Sequence, residues 1–294
     1  MANTSVSLTS LDFNTLKANF QSYLTSQSVF KDYNFTGSNM NVLLDIMSYN
    51  TYLNSFFLNM VASEMFLDSA QKLDSVVSHA KELNYVPRSA ASSKATVSFT
   101  VTANTTTGVL TVPQGTIFSG QNANGNYTFV TTVTQNYTSA NNTYAINNLN
   151  IYEGSYFQES FVVDYTQETQ RFILSNPNID TSSLTIIATE SGVNTQFFPV
   201  STTYNLSNTS NVYFLQAAQN GQYEVVFGDG ILGRIPNNLS VITANYIITN
   251  GDAADGVSSF TIAQDLGAFP GNGGSIVPSQ ITTVANSSGG TQQE

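Results

Sequence analysis

"FGDGILGRIP", Phe227 to Pro236, sets Gly228, Gly230 and Gly233 in the spacing G-x-G-x-x-G. That spacing marks a dinucleotide site only where a strand precedes it and a helix begins inside it, because the pyrophosphate rests on the helix N-terminus. The strand is present as "YEVVF". After the last glycine the chain continues with Arg234, Ile235, Pro236, Asn237 and Asn238, and then with the alternating "VITANYIIT", another strand. The acidic residues about 20 positions on, Asp252 and Asp255, sit in the turn cluster "NGDAADG". The unit is therefore strand, turn, strand, and no nucleotide cofactor is expected. Asn220-Gly221 reads as a hairpin turn ahead of it. Gly228 and Gly230 are expected to take φ above zero on either side of Asp229, whose carboxylate caps nearby backbone N–H groups as an Asx turn, with Gly233 serving the same bend.

The same alternation runs through most of the chain. In "KATVSFTVT", Ala95, Val97, Phe99 and Val101 face one way and Thr96, Ser98, Thr100 and Thr102 the other, as in a half-buried strand. "VLTV", "YTFVTTV", "SFVVDY", "RFILS", "LTIIAT", "NVYFLQA" and "SSFTIA" repeat the pattern, separated by turn-rich pieces such as "PQG" and "NANGN". Before Pro87 the period changes to that of helices. Phe13, Leu16, Phe20 and Leu24 form one stripe, with Asp12 or Ser10 as cap. Gly37 breaks the chain, Ser38 or Asn39 opens an uninterrupted helix to about Leu67, and a third helix runs from Ser69 to about Asn84. The sequence thus predicts an α+β chain, with an all-helical bundle segment over 1–88 followed by antiparallel β-sandwich-like modules. The loop "SNPNIDTSS" divides these into a first module over 89–178 and a second over 179–285, and 286–294 reads as a tail or linker without a packing signal.

The middle helix is apolar on more than one side. Leu43, Met47, Leu53, Phe57, Met60 and Val61 form one stripe, and Tyr49, Tyr52 and Phe56 a second flank. Three short helices cannot cover both. Either the second flank packs on the β region of the same chain, or it belongs to a bundle completed by other chains. Leu43, Met47, Tyr49, Tyr52, Phe56, Phe57 and Met60 are the candidate assembly residues.

Composition narrows the function. Of 294 residues only 9% are charged, against about 25% in an ordinary soluble domain, while 41% are hydrophobic. A surface of Asn, Ser, Thr and Gln suits permanent contact with other protein, where buried charge carries a desolvation cost. The net charge of -11 repels phosphate and anionic lipid, so neither nucleic acid nor a membrane is an expected partner. The absence of cysteine excludes disulfides and thiolate metal sites. The N-terminus has no basic and apolar leader pattern, and no apolar run reaches about 18 residues, so an unexported soluble chain is expected. Triplets such as Asn126-Tyr127-Thr128 arise from the Asn-rich composition and carry no weight without a leader.

Two blocks resemble a known family. "EVVFGDGILGRIPNNLSVITANYIITNGDAADG" is similar to the signature region of the baseplate J-like proteins of contractile tails, and the stretch from "LDFNTLKANFQSYL" to "AKELNYVPRS" resembles the branch of inner baseplate wedge proteins of T-even-like phages. The family's Gly-rich ending appears here only as "NGDAADG", and members of that branch continue beyond the point where this sequence stops. The resemblance implies a non-enzymatic structural subunit of the virion tail baseplate, made in the host cytoplasm. It further implies assembly through the N-terminal helices with a second copy and another wedge protein, and no small-molecule substrate.

Catalytic readings have little to stand on. His79, the single histidine, lies at the edge of the third helix's stripe without a partner for metal or nucleophilic chemistry and reads as a half-exposed helix residue. Glu153, Glu159, Asp164 and Glu168 are spread over separate strands, and nothing sets the separation a paired acid and base requires. Asp252 and Asp255 lack the alternating oxygen ligands of a calcium loop. Three functional classes remain: the baseplate subunit, a carbohydrate-binding β module that uses some of the 15 tyrosines, and the equivalent baseplate subunit of a bacterial secretion system. A carbohydrate module has no need of a long helical block with two apolar flanks ahead of its strands.

Overall fold

A computed structural model describes residues 12–27, 29, 37–83, 85–103, 108–138, 143–167, 170–200, 204–262, 264–266, 276–278 and 280–294. The chain forms two compact units, Met1–Tyr85 and Val86–Glu294. The first is helical, with α1 Phe13–Thr25, α2 Asn39–Glu64 and α3 Leu73–Glu82. Asp12 caps α1 by accepting from the N–H groups of Asn14 and Thr15. Ser38 caps α2, its Oγ accepting from Asn41 N at 3.1 Å. Helix α2 ends at Glu64, short of the predicted Leu67, and the Glu64 carboxylate receives the N–H groups of Gln71 and Lys72, which aims the chain into α3. Lys17 on α1 pairs with Asp45 on α2 at 2.6 Å.

The second unit carries sixteen strands among the described residues. These are β1 Lys94–Ala103, β2 Val109–Val112, β3 Ile117–Asn122, β4 Gly125–Val130, β5 Gln135–Thr138, β6 Thr143–Glu153, β7 Ser155–Val162 and β8 Phe172–Ile173. They continue with β9 Ile179–Glu190, β10 Val193–Pro199, β11 Val212–Ala217, β12 Tyr223–Phe227, β13 Val241–Ile248, β14 Phe260–Ile262, β15 Ile276–Pro278 and β16 Thr282–Ser288. One sheet runs β14-β3-β4-β6-β1-β15, with β16 also on β1. The other runs β7-β13-β9-β10-β11-β12-β8, and β2 pairs with β5 separately. In the second sheet every pairing is antiparallel except that of β10 with β11.

Each sheet has its own core. The predicted inward face Ala95, Val97, Phe99 and Val101 meets Phe118, Phe129, Tyr144 and Ile151 in the first, and Ile186, Phe197, Tyr213 and Tyr246 anchor the second. Strand β6 escapes the sequence pattern because "NNLN" breaks its alternation. A bulge between the Val97–Leu149 and Phe99–Ile146 pairs, with Asn148 at φ 54°, resets the phase so that Ile146 and Leu149 both point inward.

The division between the sheets does not fall at residue 178. The chain changes sheet at Gly154, since β6 lies in the first and β7 in the second, and β14 to β16 return to the first after β13. Periodicity reports which faces are buried and not which sheet a strand joins, so a contiguous split is the simplest reading of the sequence, whereas the pairing is interleaved. The 286–294 segment is likewise no free tail. Ser287 is buried, Thr291 pairs with Ala91, and Glu294 N donates to Arg88 O at 3.1 Å. Its partners are backbone and polar side-chain groups, which leave no apolar signature in the sequence.

Gly154 makes the crossing possible. Its φ is 125°, and a Cβ there would lie 2.3 Å from Ile248 O. Replacing it with alanine is expected to lower the unfolding free energy by about 1–3 kcal/mol or more. Urea denaturation checks this, and an unchanged midpoint would show that the crossing does not depend on glycine.

Candidate functional site

The face that α2 turns inward is its least apolar one. Asn41, Leu44, Ser48, Asn59 and Ala62 are the buried residues, at steps of three and four once the half-buried Tyr52 and Ser55 between them are included. Small and amide side chains let neighbouring helices approach closely, but they bury little apolar area. Leu43, Met47, Tyr49, Phe56 and Phe57 are instead 46–57% exposed, and Tyr52 and Met60 are half-buried. Val42, Ile46, Leu58 and Val61 add to the same surface. Among the described residues of this unit the buried hydrophobics are Leu44, Ala62, Ala70 and Ala80 alone. No residue of α1 is buried.

Such a surface is unusual on a free helix. Fully burying one large apolar side chain is worth about 1.5–3 kcal/mol, so the seven candidate residues together offer a driving term on the order of 10 kcal/mol before the cost of association. Two aromatic rings of the set, Phe56 and Phe57, already stand edge to face with centroids 5.8 Å apart.

The 228–236 turn is built differently from its sequence reading in one respect. Asp229 Oδ1 accepts from Ile231 N at 2.9 Å and Leu232 N at 2.8 Å, the expected Asx cap, and the Leu232 and Ile231 N–H groups hold its carboxyl below the usual range. Gly230 and Gly233 have φ of 84° and 96°. Gly228 does not have a positive φ; it is required for space, because a Cβ on it would sit 2.3 Å from the carbonyl carbon of Gly233. No helix begins between Gly228 and Val241, so this stretch offers a phosphate no helix N-terminus.

Arg234 fixes the turn to the sheet and has no signal in the sequence. Its Nη1 donates to Glu190 Oε2 at 2.7 Å, its Nε to Asn211 Oδ1 at 2.8 Å, and its guanidinium lies 5.1 Å from the centre of the Phe197 ring. Glu190 also accepts from Asn237 N at 3.1 Å. Burial alone would raise the Glu190 carboxyl, but the Arg234 hydrogen bond, the Asn237 N–H and the guanidinium charge outweigh it, and the group sits below its ordinary value. Beside the turn is an open cleft of about 350 Å³ lined by Asp164, Tyr165, Phe172, Glu224 and Pro236.

The carboxylates considered for chemistry are dispersed and occupied. Glu153 is buried and accepts from Thr249 Oγ1 at 2.6 Å and from both nitrogens of Asn250. Glu159 holds Ser175 and the hydroxyl of Tyr246, which burial pushes up to about 12 and so keeps protonated as the donor. Asp164 caps Thr166, and Glu168 lies outside the described residues. Asp252 accepts from Gln292, and Asp255 from Ser93 and Gly290. Among the described residues no group of three or more His, Cys, Asp or Glu side chains could hold a metal. His79 is half-buried with Nε2 2.9 Å from Glu64 O, joining α3 to the end of α2. No described helix is long and apolar enough to cross a membrane.

Residues 12–85, the segment that carries this outward apolar face, match the family model described as baseplate wedge protein gp6-like, helical domain. The chain is similar to a phage baseplate wedge protein. Over 272 residues, 86% of the chain, it is 26% identical to baseplate wedge protein gp6 of Enterobacteria phage T4. The match spans 40% of that relative's length. Both matches support likeness to the baseplate wedge proteins, and neither carries the baseplate J-like label.

The Arg234–Glu190 pair yields a pH-dependent test. Arg234→Met leaves Glu190 without its cation and is expected to cost about 3 kcal/mol at neutral pH. Because the folded-state carboxyl is depressed, the pair's contribution is present above the ordinary carboxylate range and is lost as pH falls through the folded value. The stability gap between parent and variant should therefore narrow below about pH 4.5. Parallel urea titrations at neutral pH and in the acid range read it, and a gap of constant size would rule the pairing out as its source.

Proposed function

We propose that this protein is a non-enzymatic structural subunit of a phage tail baseplate wedge, located in the virion. The observation that carries the reading is the outward apolar face of α2, in the segment that matches the wedge helical-domain model. A face of this size is satisfied inside a larger helical bundle. The missing helices come from a second copy of the chain and from another wedge protein, with Leu43, Met47, Tyr49, Tyr52, Phe56, Phe57 and Met60 in the contact. The low charge content fits the same role, since a surface of amides and hydroxyls enters a permanent interface at a small desolvation cost. The turn at Gly228, Asp229, Gly230 and Gly233 serves as a structural marker of the baseplate J-like type and supplies no chemistry.

Two measurements test this. Mass determination in solution is expected to show self-association or a complex with a wedge protein; a monomer that binds glycans and no tail protein would overturn the reading. Replacing Tyr52 and Phe56 with glutamate should leave the β unit's unfolding midpoint unchanged and abolish co-purification of the wedge partner. Recovery of the partner in undiminished yield would remove these residues from the interface.

A further inference from the structure

The two β cores share no residue, and polar groups join the sheets that carry them. Glu153, Thr249 and Asn250 make one hydrogen-bonded link where the chain crosses between the sheets. A second link is a short antiparallel ribbon. Ala91 and Thr291 exchange both backbone hydrogen bonds, at 3.0 and 3.1 Å, and Glu294 N donates to Arg88 O. The Glu294 carboxylate in turn accepts from Arg88 N at 3.1 Å and lies 3.4 Å from the guanidinium.

The ribbon grows out of the first sheet, since its two strands continue into β1 and back from β16. Several of its contacts lie on the second sheet. Ala90 bridges Asp180, Ser92 N donates to Asp180 Oδ2 at 2.9 Å, and Thr181 N donates to Ser89 Oγ at 3.2 Å. At the β11–β12 turn Gln293 Nε2 donates to Gly221 O at 2.9 Å, and Tyr223 donates its hydroxyl to Pro87 O at 3.1 Å. Backbones cross closely there: a Cβ on Gly290 would stand 2.3 Å from Gly251 O, and one on Gly251 would stand 2.7 Å from Thr291 O.

We propose that residues 88–93 and 289–294 form a clasp that locks the two sheets into one cooperative unit, and that the sheets separate at this clasp before either core unfolds. Hydrogen bonds of small buried residues, Ser89, Ala90, Ser92 and Ser93, carry the clasp without large apolar side chains of its own, and water replaces such bonds at modest net cost. Opening it leaves most of both cores closed, with Tyr223 of the second core at its edge, so it belongs toward the low-stability end of the molecule's motions. The polypeptide from the helical unit enters through Val86, close in sequence to the ribbon's end pair of Arg88 and Glu294.

Native-state hydrogen exchange on the full chain, with calorimetry of variants, tests the proposal. The amides of Ala91, Thr291 and Glu294 are expected to exchange at least about tenfold faster than those in the centres of β6 and β9, as sub-global opening requires. Gly290→Val, which blocks the backbone crossing, should split a single calorimetric transition into two. Should that variant fail to fold, the pair Gln293→Ala and Tyr223→Phe removes only side-chain bonds and is expected to give the same separation. Ribbon amides as protected as those of the cores, or milder variants that melt in one transition at the parent midpoint, would overturn it.

Discussion

Backbone N–H groups that leave a helix or strand need an acceptor, and here carboxylates supply it at many of the chain's turning points. Asp12 caps α1, Glu64 receives the chain after α2, and Glu153 takes Asn250 N where the sheets meet. Asp164, Asp180, Glu190, Asp229 and Asp255 do the same at Thr166, Ser92, Asn237, Ile231 and Gly290. In a chain with 19 acidic residues this use absorbs many of them, and several of those considered for catalysis are among the ones so occupied. The acids stand apart because the turns they serve stand apart.

The two units meet the demand for buried area in opposite ways. The β unit buries large side chains in two cores, with Tyr144, Phe118 and Phe129 fully enclosed in one and Tyr213, Tyr223 and Tyr246 in the other. The helical unit turns mainly small and amide residues of α2 inward, with Leu44 among them, and leaves most of the large apolar ones outside. A helix that keeps its driving force on the outside is suited to assembly, because the same area that is unfavourable in water becomes the energy of the interface. The wedge reading rests on that inversion, and the matched relative and family model give it a setting.

Much of the fold was legible in the sequence. The helical spacing before Pro87, the caps at Asp12 and Ser38, the inward row Ala95, Val97, Phe99 and Val101, and the turn around Asp229 all obey local rules. Less of the candidate site was legible. Periodicity showed that α2 is apolar on two flanks, but which residues the unit itself covers depends on neighbours far along the chain, and Leu44 rather than Leu43 faces inward. Arg234 was silent because its partners Glu190, Asn211 and Phe197 are distant in sequence.

By itself, then, the sequence determined the change from helix to strand, the faces of the regular strands and the strand, turn, strand unit around the glycines, since each depends on spacing within a few residues. Tertiary structure alone decided that β7 leaves the first sheet at Gly154, that β14 to β16 return to it, and that residues 289–294 bind the start of the β unit. Those outcomes rest on backbone pairing between distant segments, and a backbone N–H or C=O is the same in every residue but proline, so no side-chain pattern announces its partner.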